Sequence, residues 1–272
     1  MPMAARAPRR REDGRLIGPR PTYPSAIRRA PGGPQPSDSR LMAELDLSRF
    51  DVLTFDTYGT LIDWEAGLLA ALAPILARAG VSAADDDLLE AYARHEAALE
   101  AGEYLSYREV LACALDRLGT DLGFVPTAAE RAAFGGSVAD WPAFPDSPAA
   151  LAALAGRFRL AVITNCDDDL FAASQARLGV VFDPVVTAQQ ARSYKPAARN
   201  FELMFERLDG LGIPRERVLH VAQSLYHDHV PAKALGLTTV WVDRRQGKAG
   251  AGATPPASAA PDLTVPDLAG LA

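Results

Sequence analysis

The chain of 272 residues has 49% hydrophobic residues and a net charge of -6 at pH 7, which suits a globular protein with one sizeable core and a smaller second unit. No apolar run approaches the ~20 residues of a membrane-spanning helix, and no basic cluster in the folded part marks a nucleic-acid surface. Two cysteines are too few for a disulfide framework. We therefore expect a cytoplasmic protein that acts on a small molecule, without nucleic acid or membrane as a partner, and we leave a homodimer open.

Residues 1–45 form an Arg-rich leader that lacks apolar periodicity and cannot build a core. We predict that this leader is disordered. A transit peptide and a basic arm for an anionic partner are alternatives. A third alternative is an over-extended reading frame, because Met42 closely precedes the first predicted strand.

From residue 46 onward, short β-rich apolar runs alternate with helical stretches. This alternation predicts an α/β fold with a doubly wound, parallel, Rossmann-like sheet. An Ala- and Leu-rich helical pattern follows the first strand and indicates an inserted helical cap. The predicted core covers residues 46–63 and 146–272, with a mobile loop at 248–260, and the predicted cap covers residues 64–145. The predicted strands are Phe50–Phe55, Leu160–Thr164, Val185–Thr187, Val218–Ala222, Thr238–Val242 and an edge strand from Leu263.

Polar side chains follow the ends of four predicted strands. Ligands of open parallel sheets bind beyond these ends, so the side chains should meet in one crevice. A carboxylate, a hydroxyl, an ammonium and a second carboxylate placed together can form and hydrolyse a covalent ester. The residues are Asp56 after the first strand, Thr164 and Asn165 after the second, Lys195 after the third, and Gln223, Ser224 and Asp228 after the fourth.

Four short motifs contain these residues, and their order resembles the haloacid dehalogenase superfamily from Phe50 to about Asp243. One motif alone is a weak signal, because an Asp that ends a strand is more often a turn or helix-cap residue. Four motifs in order at compatible spacings are specific. They read Phe55-Asp56-Thr57-Tyr58-Gly59-Thr60-Leu61, Ile163-Thr164-Asn165, Ser193-Tyr194-Lys195-Pro196 and Val221-Ala222-Gln223-Ser224-Leu225-Tyr226-His227-Asp228.

Within the superfamily, the motif around Asp56 resembles the type II, L-2-haloacid dehalogenases. Phosphatases of the superfamily have a second Asp two positions after the nucleophile and bind magnesium between acidic loops, whereas Tyr58 and Gln223 occupy two of those acidic positions here. Asp56 and Asp228 then remain as the only evident carboxylates for a hard cation. The resemblance thus implies a metal-independent enzyme without a cofactor, which converts short 2-haloacids to 2-hydroxy acids.

The resemblance also assigns catalytic roles. Asp56 attacks C2 and forms an aspartyl ester, Lys195 keeps Asp56 ionised, and Asp228 activates the water that hydrolyses the ester. Thr60 and Thr164 hydrogen-bond the nucleophile or the substrate, although both also suit a structural role in turns. Asp228 suits an alternative role as the N-cap of a following helix.

Further substrate contacts are expected from the backbone amides of Thr57 and Tyr58 and from two candidates for the departing halide. The halide candidates are Arg94, in the predicted cap, and Asn165. A surface position is the commoner place for an arginine such as Arg94. The three histidines at 95, 227 and 229 lack metal-ligand spacing, so we interpret them as polar loop residues.

Three positions depart from the type II pattern, where a Ser and an Asn precede the last Asp and a Tyr follows the Lys. This chain has Gln223, Leu225 and Phe201 there. We expect the Gln223 amide to donate to Asp56 or Asp228 in place of the missing asparagine. The substrate stays open: opening of a strained C–N ring, a Mg-dependent phosphatase and a non-catalytic binding protein on the same fold are the alternatives.

Overall fold

Six parallel strands form the central sheet of the computed structural model, which describes residues 45–247 and 252–272. The strand order is β3-β2-β1-β4-β5-β6, which confirms the predicted doubly wound, parallel sheet. The predicted leader, apart from Leu45, and residues 248–251 of the predicted loop lie outside the described residues. The strands are β1 Val52–Phe55, β2 Arg159–Thr164, β3 Val185–Thr187, β4 Val218–Ala222, β5 Thr238–Val242 and β6 Leu263–Val265.

The central strand β1 is buried along its whole length, as the apolar runs of parallel sheets require. Val52 belongs to one core cluster, whereas Leu53 and Phe55 belong to another. This division follows from the alternation of side chains along a strand, and it shows that both faces of the sheet are covered. β1 lies between β2 and β4, where the chain reverses its direction of winding, so the ligand crevice is expected beyond its carboxyl end.

Four helices are inserted between β1 and the next core helix, as the cap prediction expects. Each of the last two begins with a reciprocal capping box, Ser106 with Glu109 and Thr127 with Glu130. The first helix ends at Gly80, whose φ of 65° suits a residue without a Cβ. These helices are α1 Trp64–Ala79, α2 Asp85–Glu100, α3 Tyr107–Leu122 and α4 Ala128–Gly136.

Within residues 45–247 and 252–272, five α-helices follow the cap and connect the later strands, and one short π-helix precedes the last of them. No helix among the described residues is long and apolar enough to cross a membrane. In the C-terminal segment, Ala253 is fully buried and its N–H donates to Glu65 over 3.0 Å. The helices are α5 Ser147–Ala155, α6 Asp168–Leu178, α7 Ala188–Ala191, α8 Ala198–Asp209 and α9 Val230–Ala234, and the π-helix is Leu225–His229.

Candidate active site

A small cavity opens beyond the carboxyl ends of β1 and β4, between the sheet and helix α2 of the cap. Its volume is about 30 Å³, and one water-sized group needs roughly 10 to 15 Å³ in this measure. The space therefore suits a short substrate. The lining residues are Asp56, Tyr58, Trp64, Glu96, Glu100, Tyr107, Asn165, Lys195, Ser224, His227, Asp228 and Thr254.

Lys195 joins the two carboxylates at the base of this cavity. Its Nζ donates to Asp56 Oδ1 over 2.8 Å, to Asp228 Oδ1 over 2.6 Å and to the carbonyl oxygen of Ile163 over 2.9 Å. The ammonium thus uses all three of its protons. Although burial lowers the pKa of Lys195, the charges of Asp228 and Asp56 outweigh it, so the net shift is upward. Lys195 is therefore a permanent cation, which a buried pair of carboxylates requires.

Two opposing influences act on the pKa of Asp56, and the net shift is upward. Burial is the larger one and raises this pKa, and the charge of Asp228 acts in the same direction. The charge of Lys195 and the hydrogen bonds from Lys195 and Thr60 lower it. The prediction that Lys195 favours the ionised nucleophile accounts only for the influences that lower this pKa. Without Lys195, a buried Asp56 beside another carboxylate would hold its proton and lose its nucleophilicity.

Thr60 holds the other oxygen of the nucleophile. Its Oγ1 donates to Asp56 Oδ2 over 2.7 Å and accepts a bond of 2.9 Å from the backbone N–H of Gln223. Arg244 donates from Nη2 to the Thr60 carbonyl oxygen over 2.8 Å and pairs with Asp146. Sequence reasoning did not identify Arg244, which lies after β5 and fixes the turn that carries Thr60.

Asp228 sits in the π-helix and is fully buried. The wider turn of a π-helix often places a functional side chain. His220 Nε2 lies 3.1 Å from Asp228 Oδ1, and His220 Nδ1 lies 3.0 Å from Thr54 Oγ1. His220 is a second residue that sequence reasoning missed, although a histidine inside an apolar strand is a visible signal. Helix α9 begins without a side-chain cap, so the alternative role of Asp228 as an N-cap is wrong.

The charges around Asp228 keep it ionised. Burial raises its pKa, but Lys195 and His220 together hold the pKa well below the usual range of an aspartate. Oδ1 accepts both bonds, and Oδ2 has no hydrogen-bond partner among the described residues. Asp228 thus combines a fixed orientation with one free acceptor oxygen.

Asn165 and Ser224 line the cavity but are engaged in fixing its loops. Asn165 Oδ1 accepts from the backbone N–H of Lys195 over 2.7 Å, and Asn165 Nδ2 donates to the Lys195 carbonyl over 3.1 Å. These two hydrogen bonds hold the loop that carries Lys195 against the end of β2. Ser224 Oγ accepts from the backbone N–H of His227 over 2.9 Å and caps the π-helix.

Tyr58 lines the cavity with its ring and turns its hydroxyl away. The hydroxyl lies 3.2 Å from Cys166 Sγ and 3.1 Å from Ser174 Oγ. The ring stacks on Tyr107 and meets Trp141 edge-on. Where phosphatases of the superfamily have an acid, this chain has an aromatic wall.

Four residues predicted to contact the substrate through their side chains or amides do not line the cavity. Arg94 is exposed and lies against the 252–256 segment, so its assignment to the halide is wrong. The predicted bond from the Gln223 amide to Asp56 or Asp228 is also not found among the described residues; Gln223 Oε1 instead accepts from Thr254 Oγ1 over 3.3 Å. Thr57 and Thr164 are fully buried, and their hydroxyls have no hydrogen-bond partner among the described residues.

Two glutamates of helix α2 line the cavity on the side of the cap, where an arginine was expected to contact the halide. Glu96 is 4% exposed, and its Oε1 accepts bonds of 2.8 Å from Tyr92 Oη and from Tyr107 Oη. Glu100 Oε2 lies 3.4 Å from Asn165 Nδ2 and 4.0 Å from His227 Nε2. Burial raises the pKa of Glu96 to about 7 and that of Glu100 well above its usual range.

Sequence reasoning missed these glutamates, although the helix phase contains the signal. Successive residues of an α-helix are ~100° apart, so Glu96 lies ~40° from the buried Tyr92, whereas Arg94 lies ~200° away. Residues 88, 92, 96 and 100 therefore share one face of α2. The pattern of that face predicts inward-pointing glutamates and an outward-pointing arginine.

The residues present fit a magnesium ion poorly. Lys195 Nζ occupies the space between Asp56 and Asp228, and an ammonium in contact with both oxygens competes with a cation. No cluster of three or more His, Cys, Asp or Glu side chains in the described part of the chain could hold a metal ion. His227 is partly buried beside Glu100, and loss of solvent around it lowers its pKa to about 4, so it is neutral at pH 7. His229 is buried, with Nε2 2.9 Å from the carbonyl oxygen of Ala222. Both histidines lie in the π-helix, so their interpretation as loop residues is wrong.

Comparisons with known proteins agree with this architecture. A family model described as haloacid dehalogenase-like hydrolase matches residues 50–236. A solved structure of a defluorinating L-2-haloacid dehalogenase is 21% identical, with a TM-score of 0.68, covering 82% of this chain and 95% of that chain. The L-2-haloacid dehalogenase from Xanthobacter autotrophicus is 23% identical, with a TM-score of 0.66 and coverage of 82% and 96%.

The magnesium-bound structure of a protein from Bacillus subtilis, described as a HAD-hydrolase, is similar as well, at 19% identity and a TM-score of 0.67, covering 82% of this chain and 97% of that chain. At these identities the solved structures establish the fold. A search of curated proteins gave no match.

Proposed function

Because the chain belongs to the haloacid dehalogenase-like hydrolase family, we propose that it hydrolyses a carbon–halogen bond of a short 2-halo compound through an ester on Asp56. The observation that carries this proposal is the buried Asp56–Lys195–Asp228 group, in which one ammonium contacts both carboxylates. A nucleophilic carboxylate, a cation that favours its ionised form and a second carboxylate for water are what ester formation and hydrolysis need.

The first step is displacement at a saturated carbon. An oxygen of Asp56 forms a bond to that carbon, and the carbon–halogen bond breaks as halide leaves with the electron pair. Thr60 and Lys195 hold the two oxygens of Asp56 by bonds of 2.7 and 2.8 Å, so the carboxylate keeps one orientation during attack. The product of this step is an ester between Asp56 and the substrate carbon.

The second step is hydrolysis of that ester. A water oxygen attacks the acyl carbon of Asp56, and Asp228 Oδ2 accepts the proton. The bond between the acyl carbon and the oxygen bound to substrate then breaks, and the departing alkoxide takes the proton back. Asp56 is left as a carboxylic acid and releases its proton to solvent, which restores the carboxylate. The sum is R–X plus water giving R–OH and HX. Lys195 stabilises the negative charge that develops on the acyl oxygen.

Two observations support a short substrate and this chemistry. The cavity is small, and Tyr58 and Trp64 give it apolar walls. Among the structural relatives, the Xanthobacter enzyme is also known in a form titled as having chloropropionic acid covalently bound. A 2-hydroxy acid would be the product if the substrate is a 2-haloacid, and the poor fit to magnesium supports metal independence.

The proposal is tested by a single turnover with excess enzyme in heavy-oxygen water, using L- and D-2-chloropropionate, 2-chloropropionamide and 1-amino-2-chloropropane, which are anionic, neutral and cationic 2-halo compounds. The new hydroxyl should carry light oxygen from Asp56, because water attacks the ester and not the substrate carbon. Asp56→Ala should abolish halide release while the protein keeps its melting temperature within a few degrees. Heavy oxygen in the first-turnover hydroxyl, or no halide release from any of these compounds, contradicts the proposal.

A second candidate is cleavage of a carbon–nitrogen bond in a small strained ring by the same Asp56 ester. Glu96 and Glu100 in the cavity favour it, because a protonated ring nitrogen suits an acidic surrounding better than a halide does. Release of an amino alcohol instead of halide distinguishes the two candidates.

A further inference from the structure

The cavity around Asp56 has a surplus of acidic groups. Four carboxyl groups line it, two at the base and two in the cap, and they meet the single ammonium of Lys195. That ammonium is already shared between Asp56 and Asp228. His227 adds no charge, because burial keeps it neutral at pH 7. An anionic substrate would therefore enter a site that offers it no free cation among the described residues.

The two cap glutamates are built into the wall and do not belong to a solvated surface. Glu96 is 4% exposed, and the phenols of Tyr92 and Tyr107 both bind its Oε1. Glu100 is one helical turn away on the same face and contacts Asn165. Two phenol donors on one oxygen fix the orientation of the Glu96 carboxyl.

At the other end of the cavity, Asp228 Oδ2 is buried and has no partner among the described residues. The base of the cavity thus presents a buried acceptor that no donor of the described chain satisfies. Burial of such an acceptor costs free energy unless a water or a ligand supplies the missing donor. At the cap, the carboxyl groups of Glu96 and Glu100 suit a group with several N–H donors and a positive charge.

On the basis of the proposed Asp56 chemistry, we propose that Glu96 and Glu100 determine specificity by binding a positively charged amino group of the substrate. The substrate class is then a short compound whose reactive carbon lies next to a carbon bearing a protonated amine, in place of a free carboxylate. The ammonium group of the substrate donates hydrogen bonds to both glutamates and offsets part of the negative charge of the cavity. A 2-haloacid anion is the poorer substrate, because its carboxylate or its departing halide has to lie beside Glu96 and Glu100.

Binding of three stable product analogues of equal size tests the charge preference. 1-Aminopropan-2-ol is cationic, lactamide is neutral and lactate is anionic, and each has three carbons and one hydroxyl at C2. Calorimetry at pH 8, above the pKa of Glu96, measures the Kd of each analogue for the full chain. We expect 1-aminopropan-2-ol to bind at least tenfold tighter than lactate, with lactamide between them.

Three variants test which residues cause the preference for a cationic ligand. Glu96→Gln and Glu100→Gln each replace a carboxyl group of the cavity wall by a neutral amide, whereas Glu90→Gln removes a charge from the exposed face of the same helix. Loss of one charge-assisted hydrogen bond should weaken the binding of 1-aminopropan-2-ol roughly tenfold. Lactate should bind several-fold tighter to the same variants. Opposite changes for two ligands of one size cannot arise from loosening of the fold, and Glu90→Gln should change neither.

The proposal is overturned if wild-type protein binds 1-aminopropan-2-ol no better than lactate, including the case in which it binds neither. It is also overturned if the two cavity variants change both ligands in the same direction, or if Glu90→Gln has the same effect. Its failure is separate from failure of the Asp56 mechanism. Oxygen labelling decides whether an ester forms on Asp56, whatever the charge preference of the cavity.

Discussion

Replacement of Glu96 by glutamine should change how the stability of the protein depends on pH. The Glu96 carboxyl is almost fully buried, and burial raises its pKa from 4.5 to about 7, against the effect of bonds from Tyr107 and Tyr92. A folded protein that holds a proton more tightly than the unfolded chain is most stable below the unfolded pKa. That stability is lost as the pH rises towards the folded pKa.

The magnitude follows from the shift. About 2.5 pKa units at 1.36 kcal/mol each correspond to about 3 kcal/mol in total, of which roughly 2.5 kcal/mol falls between pH 5 and pH 8. Glutamine has no charge to bury, so Glu96→Gln escapes this loss. The difference in free energy of unfolding, Glu96→Gln minus wild type, should therefore increase by about 2 to 3 kcal/mol over that range.

Urea unfolding at half-unit steps from pH 5 to pH 8.5 measures this difference. The charged and titratable groups that face Glu96 are Tyr92, Tyr107 and Glu100, and beyond them the charged residues at the cavity base. Glu90→Gln is the control, because its side chain lies on the exposed face of α2. If the curves of wild type and Glu96→Gln run parallel across the range, Glu96 is not a buried acid with a raised pKa and the reasoning is refuted.

Three further results are expected. Lys195→Met leaves Asp56 and Asp228 buried without their cation, so we expect a loss of about 3 to 5 kcal/mol in the free energy of unfolding and no ester formation; an active, stable variant would contradict this. Thr60→Val removes a hydrogen bond to the nucleophile and should slow turnover roughly tenfold or more. Gln223→Leu removes a side chain that hydrogen-bonds Thr254, and it should change turnover less than about threefold. Exhaustive chelation should leave activity intact, and restoration by magnesium after inactivation would favour the phosphatase alternative.

The sheet could be predicted almost residue by residue because buried parallel strands are short apolar runs that polar residues terminate. Strand β4 was expected and found at Val218–Ala222, and β5 at Thr238–Val242. The same logic placed Asp56 and Lys195 together, since carboxyl ends of parallel strands meet at one edge. Topology alone was sufficient for these residues, and no knowledge of loop conformation was required.

Side-chain direction within loops could not be predicted in the same way. Gln223 follows β4 as expected, but its backbone N–H, and not its amide, reaches the catalytic group through Thr60. The amide turns towards Thr254, a residue 31 positions away in the C-terminal segment. Arg244 likewise acts on the Thr60 carbonyl from a distant part of the chain. Such contacts depend on tertiary packing, and local sequence patterns contain no information about it.

The cap glutamates show why the motifs predict the reaction better than the substrate. Ester formation at Asp56 requires only groups that touch Asp56, and the strand-end motifs supply all of them. The charge that a substrate is able to carry depends on helix α2, which belongs to none of the motifs. Its phase, with Tyr92 and Glu96 on the inner face and Arg94 on the outer, gives the cavity an acidic wall where a cation for halide was expected. A resemblance confined to the core motifs therefore supports the Asp56 chemistry, while the substrate has to be inferred from the cap.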